Sequence, residues 1–436
     1  MIGRPVGRPA QGGATAYRPR VMDRELDEFL SALAAIAIGG AKGVGKTATA
    51  SRQARTVLAL DDPAIREVVA AAPAQAISGR PPVLLDEWQL VPSVWDAVRR
   101  AVDQRAAPGQ FLLTGSAAPV RQPAHSGAGR TVSLRMRPMT LAERGTAEPS
   151  VSLAALLAGQ TDVGGTTSVD LASYVDEILA SGLPGIRASS SDRARRLQLD
   201  GYLQRIFERD LPGQGVTLRR PDSLRAWLLA YAGAESTTAT WEAIRSRATP
   251  GDADPPTKVT TIQYRDWLTA LWLLDPVPGW TPMGVALGAL SSGPKHHLVD
   301  PALSARLLGA TRSGLLSGIA SPYAGAQRSL LGRLFESLAT LSVRVFAHAA
   351  DATVSHLRTH GGAREVDLIV EGQDDRLLAI EVKLAGAVTD ADVTHLQWLR
   401  RALGAHRVTG LVVHTGPTAY RRPDGIAVVP LALLGP

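Results

Sequence analysis

The chain has 436 residues, 45% hydrophobic and 20% charged, the profile of an ordinary globular protein too long for one compact core. It contains no cysteine, which excludes disulfides, thiolate nucleophiles and cysteine-ligated zinc. The formal net charge of +7 permits contact with nucleic acid without demanding it, because a solvated surface of mixed sign carries the same excess.

The first 20 residues carry Arg4, Arg8, Arg18 and Arg20 among Gly, Pro and Ala, with no apolar core, and read as a basic flexible tail rather than a signal peptide. No apolar run approaches the roughly 20 residues needed to cross a bilayer, so a cytoplasmic protein without membrane contact is expected. Residues 23–33 have helical spacing, 35–38 form a short apolar strand and 47–56 a helix. A strand over 56–60, a helix over 63–72, a buried strand over 83–85, a helix over 94–105 and a buried strand over 111–114 follow. Alternation of helices with uniformly apolar strands predicts a parallel sheet covered on both faces. From residue 141 the pattern turns helical, with a Gly/Thr-rich loop over 159–167 and helices over 171–181, 193–210, 222–232 and 258–274. The last 140 or so residues are again α/β: a helix over 330–345, strands over 353–358, 365–371 and 377–384, a helix over 390–403 and a strand over 407–414.

Gly40, Ala41, Lys42, Gly43, Val44, Gly45, Lys46 and Thr47 complete the pattern G-x-x-x-x-G-K-[ST] between an apolar strand and a helix. The glycines let backbone N–H groups wrap a β-phosphate at the positive end of the helix. Lys46 then reaches the β/γ oxygens and the Thr47 hydroxyl ligates magnesium, so ATP with Mg2+ is the expected cofactor pair. Downstream, the apolar run Val83-Leu84-Leu85 delivers Asp86 to the magnesium shell and places Glu87 to polarise the attacking water. The strand over 111–114 ends in hydroxyls: Thr114 or Ser116 senses a γ-phosphate, or the strand simply stops at a Gly turn. Arg130, after the Gly-rich residues 125–129, reads equally as an arginine finger, in cis or from a neighbouring subunit of a homo-oligomer, and as a surface arginine. Of the 47 basic residues only five are lysine, and two of these, Lys46 and Lys383, fall in motifs that need an ammonium group.

Near the carboxy terminus, Ile380-Glu381-Val382-Lys383 alternates with period two, putting Glu381 and Lys383 on one face of a strand. Asp367 is a carboxylate between apolar residues on the preceding strand, and Glu336 lies within a helix. Two carboxylates, Asp367 and Glu381, can hold one or two Mg2+ beside a phosphodiester, and a lysine can orient the water. A retained scaffold without cleavage, with Glu381–Lys383 as an exposed ion pair worth ~0–1 kcal/mol, accounts for the same residues. His356 and His360 read as surface residues.

The ordered set GGAKGVGKT, LLDEWQLVP, VDQRAAPGQFLLTGSA and GRTVSLRMRPMTLAE resembles the AAA-superfamily ATP-binding proteins of bacteria and archaea that carry a carboxy-terminal domain of unknown function. YLQRIFERDLP, KHHLVDPALSARLLG, GRLFESL, REVDLIV and AIEVKL extend the resemblance over about residues 18–436. It implies an AAA-like P-loop ATPase over 21–145, a helical region over 146–235, a winged-helix-like segment over 236–290 and a restriction-endonuclease-like α/β domain over 291–436. Asp367, Glu381 and Lys383, with Glu336, match the PD-(D/E)XK nuclease pattern. In the winged-helix-like segment Arg265 is a candidate phosphate contact, while Trp267, Leu268, Leu271 and Trp272 read as packing. The expected function is an ATPase whose nucleotide state controls a nuclease-like domain acting on nucleic acid, DNA before RNA. The alternative is a nucleotide-regulated module that binds DNA, RNA or a protein partner without cutting, and a toxin–antitoxin or anti-phage system suits either.

Overall fold

The structure, a computed structural model, describes residues 4–5, 17–117, 129–249, 254–282, 287, 290–291, 293–317 and 330–436. Most of the predicted tail and of the Gly-rich stretch before Arg130 lies outside these. Arg20, however, is not part of a free tail: it is buried, and its guanidinium donates to Val44 O and Arg137 O at 2.7 Å each. Helix α1 (Val21–Phe29) starts directly after it.

Five parallel strands form the first sheet: β1 (Ala35–Gly39), β2 (Thr56–Ala59), β3 (Val83–Asp86), β4 (Phe111–Gly115) and β5 (Thr131–Arg135), in spatial order β2-β3-β4-β1-β5. A two-residue strand, Arg4–Pro5, pairs antiparallel with β2. β3 and β4 are buried end to end, as strands covered on both faces must be. Helices α2 (Lys46–Gln53), α3 (Pro63–Ala71) and α4 (Ser93–Gln104) make the crossovers. Because β4 lies between β1 and β3, the loop after β1 and the carboxyl ends of β3 and β4 open on one crevice, where such sheets bind ligands. β5 was not among the expected strands. Two of its five side chains are exposed on the sheet edge, so it lacks the apolar run that marks β3 and β4.

The middle of the chain is helical, with α5 (Leu171–Ala180), α6 (Asp192–Arg205), α7 (Pro221–Gly233), α8 (Trp241–Arg247) and α9 (Lys258–Ala270). The helix expected over 193–210 leaves α geometry at Arg205 and passes into a π-helical turn, Ile206–Asp210. After α9 the chain makes isolated β-bridges, Leu274 with Leu298 and Val277 with Lys295. Helix α10 (Pro301–Leu307), expected in the end domain, packs on α5, α6 and α7 and also on the helix Leu330–Ala349, so it lies between the helical region and the last sheet.

The last sheet is mixed. Strands β6 (Thr353–Arg358), β7 (Glu365–Glu371) and β8 (Leu377–Lys383) are antiparallel neighbours, and β8 runs parallel to β9 (Val408–His414). β9 is parallel to β11 (Ala427–Pro430), which carries the short edge strand β10 (Tyr420–Arg421). Helix α11 (Leu330–Ala349) packs Leu334 and Leu338 against Val370, Leu378 and Ile380, while α12 (Thr394–Leu403) packs Leu396 and Leu399 against Ile369, Leu377 and Ala379. His356, expected at the surface, is buried in β6 with Nε2 2.8 Å from Gly293 O; His360 is exposed. The final strand pair, Leu434–Gly435 with Val151–Ser152, ties this domain back to the helical region.

Candidate functional site

Backbone geometry builds the loop after β1. Gly43 and Gly45 have φ of 79° and 104°, a region L side chains avoid. A Cβ on Gly40 would stand 2.3 Å from Met136 O, so only glycine lets the loop pass under the edge strand. Lys46 opens α2, is buried, and donates to Gly40 O and Ala41 O at 2.9 and 3.0 Å. Burial lowers its ammonium to about 8 against the pull of Glu87 and Asp86. Thr47 donates to Asp86 Oδ1 at 2.8 Å, and Thr114 donates to the same oxygen. Burial raises Asp86, and those two hydrogen bonds oppose it.

Glu87 leaves β3 in the left-handed region, φ 54° and ψ 44°, which turns its carboxylate off the strand axis toward Ser116 Oγ at 2.7 Å. A non-glycine residue held there stores strain of the kind common at functional sites. The two hydroxyls of β4 thus divide: Thr114 is fully buried and committed to Asp86, whereas Ser116 and Glu87 border a cleft of 670 Å³ shared with Lys42 and Arg209. Lys42 reaches across to Asp210 at 3.1 Å, joining the loop to the π turn. On the other side, Gly45 and Thr49 border a 1030 Å³ cleft with Tyr17, Arg18, Arg187 and Arg196, large enough for a nucleoside. Tyr17 donates to Asp23 and lies 2.9 Å from Thr49 Oγ1. Sequence reasoning passed over Tyr17 and Arg209 because nothing in their spacing ties them to the loop.

Arg130 stands apart from these residues. Thr131 pairs with Ala35, at the end of the sheet remote from the loop, and Arg130 Nε bonds Asp103 Oδ1 at 2.8 Å. A role in cis therefore fails on position.

The edge strand carries a second feature. Arg135 and Arg137 reach Asp275 at 2.9 and 2.8 Å, and Arg344 of α11 reaches it at 2.8 Å. Asp275 is buried, and although burial alone would raise its carboxyl, the three guanidiniums hold it far below the usual range. Trp272, at φ 61°, stacks under Arg135 at 4.9 Å, and its ring fills the space where a Cβ on Gly39 would sit.

In the end domain Asp367, Glu381, Lys383 and Glu336 do converge, but in a buried pocket. Lys383 Nζ is 2.8 Å from Glu381 Oε2, and Glu381 is buried, so this is not the exposed pair considered above. Burial and then the charge of Asp367 push Glu381 up to about 8. Asp367 Oδ2 accepts from Val382 N at 2.9 Å. The residue sequence reasoning missed is Lys295, wholly buried, with Nζ 2.8 Å from Glu336 Oε1 and 3.1 Å from Asp367 Oδ1. Its one outward signal was lysine's rarity in this chain. Among the described residues no group of three or more His, Cys, Asp or Glu is placed to hold a metal ion, and no helix is long and apolar enough to cross a membrane.

Residues 33–144 match the family model of an AAA domain, and residues 171–314 and 331–434 match two domains of unknown function (DUF8612 and DUF4143). The uncharacterized proteins Rv2008c of Mycobacterium tuberculosis and Mb2031c of Mycobacterium bovis are each 27% identical over 367 residues, spanning 83% of this chain and 71% of the relative. Among solved structures, the Walker-type ATPase PABY2304 of Pyrococcus abyssi aligns at 13% identity over 65% of this chain and 94% of its own, with a TM-score of 0.38. The ORC2 protein of Aeropyrum pernix aligns at 16% identity over 66% and 90%, with a TM-score of 0.26.

Proposed function

We propose that the protein is a magnesium-dependent ATP-hydrolysing switch whose nucleotide state is passed to the carboxy-terminal domain. The contact of Thr47 with Asp86, beside a buried Lys46 that feels the charges of Asp86 and Glu87, carries this reading. Lys46 now rests on two loop carbonyls and would transfer its charge to phosphate oxygens. Thr47 and Asp86, already in contact, would hold Mg2+, which neutralises phosphate charge. Glu87, held by Ser116, would orient the attacking water.

Transmission runs through Trp272 and Asp275, which touch the strand beside the loop on one side and α11 on the other. The helices α8 and α9 with the bridges that follow support a winged-helix-like segment, in which Arg265 stacks over Trp241 at 5.1 Å. The order helix, three antiparallel strands, helix, parallel strand, with Asp367 and Glu381 on neighbouring strands, supports a restriction-endonuclease-like end domain. Lys295 among its carboxylates favours a domain that docks nucleic acid without cutting it.

ATP turnover and nucleotide binding by the purified chain test the core of this reading. Lys46→Ala should lose both; Glu87→Gln should keep binding and lose turnover by roughly 100-fold or more. Full hydrolysis by Lys46→Ala would sink it.

A further inference from the structure

The PD-(D/E)XK pattern implies a divalent cation between Asp367 and Glu381, and the residues around those carboxylates do not fit one. A Mg2+ or Mn2+ ion needs its oxygens at about 2.0–2.2 Å and several of them free to turn toward it. Here Lys295 Nζ lies 2.8 Å from Glu336 Oε1, 3.1 Å from Asp367 Oδ1 and 3.7 Å from Glu365 Oε1, with its side chain 1% exposed. The other oxygen of Asp367 is held by Val382 N and Glu381 Oε2 by Lys383, which leaves buried Glu381 Oε1 without a hydrogen-bond partner, one oxygen where such an ion needs several. An ion bound by Asp367 and Glu336 would have to occupy the space the ammonium fills.

Lys295 is not placed to swing aside. Its backbone exchanges two hydrogen bonds of 2.8 Å with Val277. The residues after it are fixed to the helical region: His296 Nε2 to Ala239 O at 2.8 Å, His297 Nδ1 to Glu235 Oε1 at 3.1 Å, and Asp300 Oδ2 to Ser181 Oγ at 2.7 Å. The helical region therefore inserts one cation into an acidic pocket built by α11, β7 and β8. Lys295 faces three carboxylates, Glu336, Glu365 and Asp367, while Lys383 faces Glu381. A divalent ion seated beside Lys295 would stand against a buried ammonium of like charge, a costly arrangement.

We infer that Lys295 is the resident cation of the carboxy-terminal acidic pocket, standing where a nuclease would hold its metal, so that this domain takes up no divalent ion. The inference rests on the nuclease-like reading of the domain, and is independent of ATP hydrolysis by the P-loop.

Titration of the nucleotide-free full-length protein with Mn2+, followed by the loss of the free-ion paramagnetic resonance signal, tests it. Wild type should show no saturable site that Asp367→Asn removes. Lys295→Met should gain one such site, which Lys295→Met/Asp367→Asn lacks. A saturable site in wild type that is lost in Asp367→Asn would overturn the inference, as would a folded Lys295→Met that takes up no Mn2+. If Lys295→Met does not fold, the comparison of wild type with Asp367→Asn decides alone. Failure of the nucleotide switch would appear separately, as absent ATP turnover with the Mn2+ result unchanged.

Discussion

At the scale of single residues, the loop after β1 is held together by a group that is costly to keep there. Lys46 is 5% exposed, and its ammonium is lowered from 10.5 to about 8, chiefly by burial. A lysine whose folded value lies below its unfolded one binds its proton more tightly when the chain is unfolded, so stability rises with pH between the two values. The penalty is full below pH 8 and gone above 10.5, and a shift of this size is worth about 3 kcal/mol. Nucleotide phosphates would supply the missing counter-charge. We predict that nucleotide-free Lys46→Met gains up to about 3 kcal/mol over wild type at pH 7. Denaturant titrations at several pH values should show that margin shrinking between pH 8 and 10.5. A margin that does not vary with pH would mean that Lys46 carries no burial penalty.

At the scale of elements, Trp272 to Asp275 is the piece that joins the sheet, the helical region and α11. One carboxylate faces three guanidiniums, and two of those partners, Arg137 and Arg344, stand 138 and 69 residues away in sequence. Asp275→Asn would leave Arg135, Arg137 and Arg344 facing one another in a seam that is mostly buried. Breaking such a set by removing one partner costs about 3–5 kcal/mol. The sign in acid is also fixed: the folded carboxyl sits below its unfolded value of 3.8, so its contribution is present above that pH and lost as pH falls below it. Calorimetry should find Asp275→Asn less stable at pH 7 and the gap to wild type closing below about pH 4; an unchanged Tm at pH 7 would show that the seam bears no load. Trp272 was legible as a packing residue, but the role of Asp275 was invisible in sequence for a plain reason. The P-loop, the Asp86–Glu87 strand end and Glu381–Lys383 announce themselves through spacing within a few residues. Asp275 and Lys295 matter only through partners brought near by the fold, and the edge strand Thr131–Arg135 lacks a two-sided apolar run.

At the scale of the whole molecule, the alternation of apolar strands and helices made both α/β ends legible, while the division expected at residue 291 falls in a segment that touches both the helical region and the end domain. Helix α10 packs on α5, α6 and α7 and on α11, and Lys295 just before it completes the pocket of the end domain. The segment 295–300 therefore lies between the helical region and the end domain, and the residues after Trp272 pair with it through Leu274–Leu298 and Val277–Lys295. A rearrangement of the loop that shifts Gly39 or Arg135 has to move Trp272, and through those bridges that segment. We predict that ATP bound to Glu87→Gln, which should trap the loaded state, changes amide hydrogen exchange at 272–278 and at 295–300 as well as around the loop. Asp275→Asn should bind ATP and confine the change to the loop. If exchange in the loaded Glu87→Gln protein changes only around residues 40–47, the two ends of the chain are not coupled through this segment, and the switch reading loses its route to the end domain.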